Sequence, residues 1–155
     1  MIRVFVRPCA KTYKEQHTAA YELLDAALNV CGYKAGKILK TENGKPYFEN
    51  SETFFSISHT DGYACVAVGD SPCGVDIEKN SVISQRVRNR YLGGCDEKDA
   101  LRLWTERESY GKLMGDGFFT KEKADVFFKS FSFSGNILTV CACKEDELPA
   151  FVEFI

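Results

Sequence analysis

Ser71-Pro72 interrupts the chain near its middle, and the same order of apolar patterns runs on either side of that break. Before it, Ile2 to Val6 reads as a strand. His17 to Val30 reads as an amphipathic helix, with Tyr21, Leu24, Ala27 and Leu28 at helical spacing and Gly32 to end it. Asn43-Gly44 is a tight-turn signal, and short strands follow around Tyr47-Phe48, Thr53 to Ser58 and Tyr63 to Gly69. After the break come a strand from Cys73 to Glu78, helices near Ile83 to Tyr91 and Glu97 to Met114, and strands near Val126 to Phe133 and Ile137 to Cys143. Phe151 to Ile155 adds an edge strand. Strand, helix, strands thus occurs twice. The expectation is an α+β chain of two similar lobes, about 1–70 and 73–155, each a small antiparallel sheet packed on helices. At 155 residues these halves make one domain, 1–155, because neither is long enough for an ordinary core of its own.

Composition narrows the partners. Twenty basic residues stand against 22 acidic ones, a net charge of -2, so no global positive field points to nucleic acid or to an anionic membrane. Arg3 and Arg7 break the first apolar stretch, which is neither a secretory core nor a spanning helix, so a soluble cytoplasmic protein is expected. Seven cysteines without a CxxC pair read as small core side chains in a reducing compartment.

The chemistry lies in two segments. In Gly74-Val75-Asp76-Ile77-Glu78, strand alternation sends Val75 and Ile77 to one face and stands Asp76 and Glu78 together on the other. Two close carboxylates repel unless a cation or hydrogen-bond donors compensate, so the patch suits a divalent metal; a solvated strand face carrying two acids by chance is the simple alternative. On the later helix, Trp104, Glu108 and Lys112 are four apart and share one stripe. A tryptophan in that stripe suggests that the face turns inward at Trp104 and sets Glu108 at the rim of a cleft, while a surface Glu-Lys pair explains the spacing equally well.

Four segments in this order, Gly44-Lys45-Pro46, Phe55-Ser56-Ile57-Ser58-His59-Thr60, Gly74 to Glu78, and Trp104-Thr105-Glu106-Arg107-Glu108-Ser109-Tyr110-Gly111-Lys112, resemble the 4′-phosphopantetheinyl transferase superfamily. The likeness is to its longer, two-lobed, surfactin-synthetase-activating type, in a shortened form. It implies a Mg²⁺-dependent transferase that moves the phosphopantetheine arm of coenzyme A to a serine of an apo acyl or peptidyl carrier protein and releases 3′,5′-ADP. By the resemblance, Asp76, Glu78 and Glu108 hold the metal together with the coenzyme A pyrophosphate. Glu108 also deprotonates the carrier serine, and Lys112 balances charge on the leaving group. Ser58 and His59 contact the coenzyme A phosphates, and Lys45 and Pro46 line the adenine and 3′-phosphate site. Arg7, Lys11, Lys14 and His17 are further candidates for the 3′-phosphate, and Val82 to Leu92 falls where the family docks its carrier. Glu108→Gln and Lys112→Ala are expected to fold and to lose carrier modification, and the protein is expected to be a monomer.

Two departures from the family pattern are Arg107, where lysine is common, and a trimmed first lobe. Ser58 and His59 are adjacent on a strand and face opposite ways, which makes them a poor nucleophile-base dyad. Two rivals remain. A metal-dependent pyrophosphate hydrolase is disfavoured because Gly111 and Lys112 stand where a Nudix-like helix needs acids. A non-catalytic coenzyme A or carrier-binding module sits poorly with the retention of all three acids and Lys112.

Overall fold

A computed structural model describes residues 1–115 and 125–155 of the chain. The first helix, α1, runs Tyr13–Cys31: Thr12 caps it, its hydroxyl accepting from the Glu15 amide and donating to the Glu15 carboxylate. Gly32 ends it in the left-handed region, at φ 72°. Of its expected stripe Leu24, Ala27 and Leu28 are buried, joined by Ala20 and Leu23, while Tyr21 is half-buried.

Beneath α1 lies a four-stranded sheet. Its strands are β1 (Arg3–Pro8), β4 (Phe54–Thr60), β5 (Tyr63–Gly69) and β9 (Val152–Phe154), in the order β4-β5-β1-β9. A hairpin of β2 (Ile38–Lys40) and β3 (Pro46–Phe48) turns at Gly44, which has φ 85°. The second half supplies β6 (Cys73–Lys79), the short helix α2 (Gln85–Tyr91), α3 (Glu97–Met114), β7 (Phe127–Phe133) and β8 (Asn136–Ala142). These three strands pair antiparallel as β6-β8-β7.

The layers run α1, first sheet, second sheet, α3. Alternation places Phe5, Val66 and Val68 against α1, while Val4, Val6, Cys65 and Ala67 look the other way, onto Val75, Ile77, Leu138 and Val140 of the second sheet. The two helix-on-sheet halves therefore share one core. In addition, β9 pairs parallel with β1, so the first sheet is mixed instead of purely antiparallel and takes its last strand from the second half. A bidentate bond from Arg3 to Glu153, at 2.8 and 2.6 Å, secures that edge. β2 is three residues long, mostly exposed and without an apolar alternation, which is why its pattern does not announce a strand.

The two sheets also meet along a seam between β4 and β6. No backbone ladder joins those strands. Instead Ser56, Ser58 and Thr60 accept from the backbone N–H groups of Val75, Ile77 and Lys79, at 3.1, 3.3 and 3.3 Å. Every second residue of one strand thus satisfies every second amide of the other.

Among the described residues, no helix is long and apolar enough to cross a membrane. All seven cysteines are free.

Candidate active site

The face of β6 that carries Asp76 and Glu78 is not solvated, because α3 lies across it. The crossing is close because Gly74 has no side chain. A Cβ there would overlap the Ser109 carbonyl oxygen and come within 2.7 Å of the Leu113 amide. Small polar residues line the contact from the helix side: Thr105 and Ser109 are fully buried, and Thr105 Oγ1 lies 2.7 Å from Thr139 Oγ1 of β8. Trp104 sits one position round from this contact line. It is half-buried, packs edge-on against Tyr91 of α2 at 6.4 Å between ring centroids, and donates a hydrogen bond to Glu78.

This crossing brings Lys112 over Asp76. The ammonium donates to Asp76 Oδ1 at 2.7 Å and to Ser58 Oγ at 2.8 Å, and Ser58 in turn donates to the same carboxylate oxygen at 3.0 Å. Asp76 is 4% exposed, and its second oxygen, Oδ2, is buried with no hydrogen-bond partner.

The neighbouring acids respond to this crowding. Burial, then the charges of Asp76 and Glu108, push the Glu78 carboxyl up to about 7, against the pull of Lys112 and Trp104. Burial and Asp76 likewise raise Glu108, with Lys112 and Arg107 acting in the opposite direction. Burial disfavours the charge on Lys112, but the charge and hydrogen bond of Asp76 outweigh it and hold the ammonium protonated above its ordinary range. Asp76, Glu78, Glu108 and Lys112, drawn from two elements, therefore share one electrostatic environment.

The donor set fits a hard divalent cation: carboxylate oxygens, a surplus of negative charge, and one buried carboxylate oxygen without a partner. It is not a finished shell. Among the described residues no three His, Cys, Asp or Glu side chains are grouped to hold an ion. Lys112 and Ser58 both sit on Asp76 Oδ1.

Lys45, Pro46 and Lys112 line one cavity of about 210 Å³ that also touches Ser56, Ile57 and Gly111. Lys45 is half-buried and donates to the Leu113 carbonyl at 2.8 Å, tying the β2-β3 hairpin to the end of α3; burial lowers its pKa. His59 points away from this group, as strand alternation requires. Its Nδ1 donates to Gln16 Oε1 at 3.0 Å, and it lies among Tyr13 and His17 of α1, with ring centroids at 5.2 and 6.3 Å. Burial, followed by the charges of Lys112 and His17, lowers its pKa. Arg7 bonds the Ile155 carbonyl at 3.2 Å, while Lys11, Lys14 and His17 are exposed along the start of α1.

Sequence reasoning missed three contributors. Gln16 lies before the helix expected from His17, yet α1 begins at Tyr13 and includes it; it is buried, orients His59 and itself donates to the Lys11 carbonyl at 2.7 Å. Gly74 carries no signal apart from standing first in its motif. The third contributor, the bond from Ser58 to Asp76, depends on the β4-β6 seam, and alternating hydroxyls in Ser56-Ile57-Ser58-His59-Thr60 were the one hint of it.

No family model matches the chain. It is 33% identical over 92 residues to the 4′-phosphopantetheinyl transferase gsp of Aneurinibacillus migulanus, covering 52% of this chain and 38% of that protein. It is 32% identical over 94 residues to the 4′-phosphopantetheinyl transferase psf-1 of Bacillus pumilus, covering 52% and 40%. It is 30% identical over 89 residues to the 4′-phosphopantetheinyl transferase Sfp of Bacillus subtilis (strain 168), covering 49% and 40%. The matched stretch spans about two fifths of the length of these curated relatives. Over that stretch the chain is similar to proteins named 4′-phosphopantetheinyl transferases, among them Sfp.

Proposed function

We propose that this chain transfers the 4′-phosphopantetheine group of coenzyme A to a serine of an apo acyl or peptidyl carrier protein. The observation that carries the reading is the buried Asp76 bonded to the Lys112 ammonium with one carboxylate oxygen left unpartnered, and beside it the carboxyls of Glu78 and Glu108, both raised by burial and by the Asp76 charge. The names of the relatives support the same activity. In this reading Asp76, which has one buried oxygen without a partner, would hold Mg²⁺ together with Glu78 and Glu108. The ion, when bound, neutralises pyrophosphate charge and polarises the β-phosphate.

The rest is done by side chains of the chain. Glu108, its carboxyl raised by burial and by Asp76, accepts the proton of the carrier serine hydroxyl. The serine oxygen forms its bond to the β-phosphorus, the bond to the bridging oxygen of the pyrophosphate breaks, and its electron pair leaves with 3′,5′-ADP. Lys112, held charged by Asp76, balances that developing charge. Lys45 and Pro46, in the same cavity as Lys112, take the adenosine end, while His59, on the opposite face of β4 beside Gln16, Tyr13 and His17, has no part in this step.

The docking surface in this reading is α2 with the residues before it. No residue of α2 is buried, Val82 is 74% exposed, and Arg86 and Arg90 point to solvent, which suits an acidic helical carrier. We read the two helix-on-sheet halves as lobes of the longer type in reduced form, acting as a monomer in the cytoplasm, where seven free thiols remain reduced.

Incubation with coenzyme A, Mg²⁺ and a panel of apo carriers, followed by mass spectrometry, tests the proposal. Transfer gives phosphopantetheinylated carrier and 3′,5′-ADP in equal amounts. Cleavage of coenzyme A without labelled protein, or no consumption at all, rejects it.

A further inference from the structure

Ser58 stands where three elements meet. Its own strand, β4, belongs to the first sheet, Asp76 lies on β6 of the second, and Lys112 comes down from α3. A serine hydroxyl has one proton to give and two lone pairs to offer. Here the proton goes to Asp76 Oδ1 at 3.0 Å, one lone pair takes the Lys112 ammonium at 2.8 Å, and the other takes the Ile77 amide at 3.3 Å. Ser58 is 6% exposed, so no water is needed to complete it. A phosphate could reach this hydroxyl only by displacing one of those three partners.

The bond to Ile77 is the middle rung of the seam, between the Ser56 and Thr60 rungs, so the height of Ser58 along β6 is fixed by its neighbours. At that height its oxygen bridges the ammonium and the carboxylate and turns Asp76 Oδ1 toward Lys112. The other oxygen, Oδ2, is left unpartnered.

We propose that Ser58 is a positioning residue: its hydroxyl sets the orientation of the Asp76–Lys112 pair and is not a ligand of the coenzyme A phosphates. The inference rests on the phosphopantetheinyl transfer reading for its catalytic consequence, and on the geometry alone for the orientation of the pair.

The experiment therefore has two arms. The first follows the side-chain ammonium of Lys112 by ¹H–¹⁵N NMR in the substrate-free protein, assigned by its loss in Lys112→Met. The second measures kcat and the KM for coenzyme A with Mg²⁺ and an apo carrier. Both are applied to Ser58→Ala, Ser58→Thr and Thr60→Val, the last removing an outer rung of the same seam.

Ser58→Ala is expected to shift or abolish the Lys112 signal and to lower kcat about tenfold or more, with KM for coenzyme A within about twofold of the parent. Ser58→Thr, which keeps the hydroxyl, is expected to restore both. Thr60→Val is expected to lower the melting temperature while leaving the Lys112 signal and kcat in place. A KM raised about tenfold in Ser58→Ala with kcat unchanged identifies a phosphate ligand and overturns the proposal. An unmoved Lys112 signal in Ser58→Ala, or a Thr60→Val variant as impaired as Ser58→Ala, also overturns it. If the parent protein transfers nothing, the functional reading fails and the NMR arm decides the proposal by itself. If Ser58→Ala does not fold, Ser58→Cys is measured in its place, since it keeps the volume and weakens the donor.

Discussion

At Gly74 a single hydrogen in place of a methyl group sets the distance between strand and helix. Gly74→Ala would force α3 off β6 and is expected to cost about 1–3 kcal/mol, read by urea denaturation, while carrying Lys112 away from Asp76 and reducing transfer. Lys112 shows how structure changes an expectation. The sequence suggests that Lys112→Ala folds normally, but removing the ammonium leaves Asp76 buried with an unpaired charge. A loss of about 3 kcal/mol is expected, the low end for a broken buried pair because Lys112 is partly exposed. Glu108→Gln, which removes a strained charge, should melt no lower than the parent and still fail to label carriers. A Glu108→Gln protein with full transfer would remove Glu108 from the reaction. Glu78 gives a pH test. Its carboxyl rises from 4.5 to about 7 on folding, so the folded state holds the proton more tightly than the unfolded chain. Its contribution to stability is complete below 4.5 and is lost as pH climbs through 7. Metal-free protein should therefore melt progressively lower between those limits, and Glu78→Gln should flatten that part of the profile. A profile identical in parent and variant would contradict the shift.

Among the elements, those with a strong internal period were legible. α1 shows its stripe and its glycine stop, and β6 shows its alternation, so the placing of Val75 and Ile77 opposite Asp76 and Glu78 follows from the strand repeat alone. What covers the acidic face does not. A strand pattern states that Asp76 and Glu78 share a side, but only the α3 crossing determines that Asp76 is buried and that Lys112 reaches it. The helix itself was legible, though its contact line was not: Thr105, Ser109 and Gly74 carry the packing, and small polar residues give no apolar signal to read. α2 is a different case, since none of its residues is buried and its position depends on its neighbours. Arg107 donates to the Tyr91 carbonyl at 3.1 Å and so holds the last turn of α2 against α3. Arg107→Ala should speed amide exchange in residues 85–92 and raise KM for the carrier while leaving KM for coenzyme A unchanged. Equal exchange in parent and variant would show that α2 is held by other contacts.

For the whole molecule the shared core matters most. The repeat of strand, helix and strands predicts two similar lobes within one domain, and Val4 and Val6 of the first sheet are buried against Val75 and Val140 of the second. Neither half can cover that face alone. Fragments 1–71 and 72–155 expressed separately are expected to give collapsed amide spectra, and a well-dispersed spectrum from either would show that the core is divisible. The pairing of Val4 with Val152 extends the same dependence to synthesis. The outer edge of β1 is made long before β9, the strand that pairs with it. During that wait it offers unpaired amides and carbonyls to any neighbouring nascent chain. The interval between making β1 and making β9, and chaperones that shield an open strand, should therefore govern how much soluble protein a cell obtains.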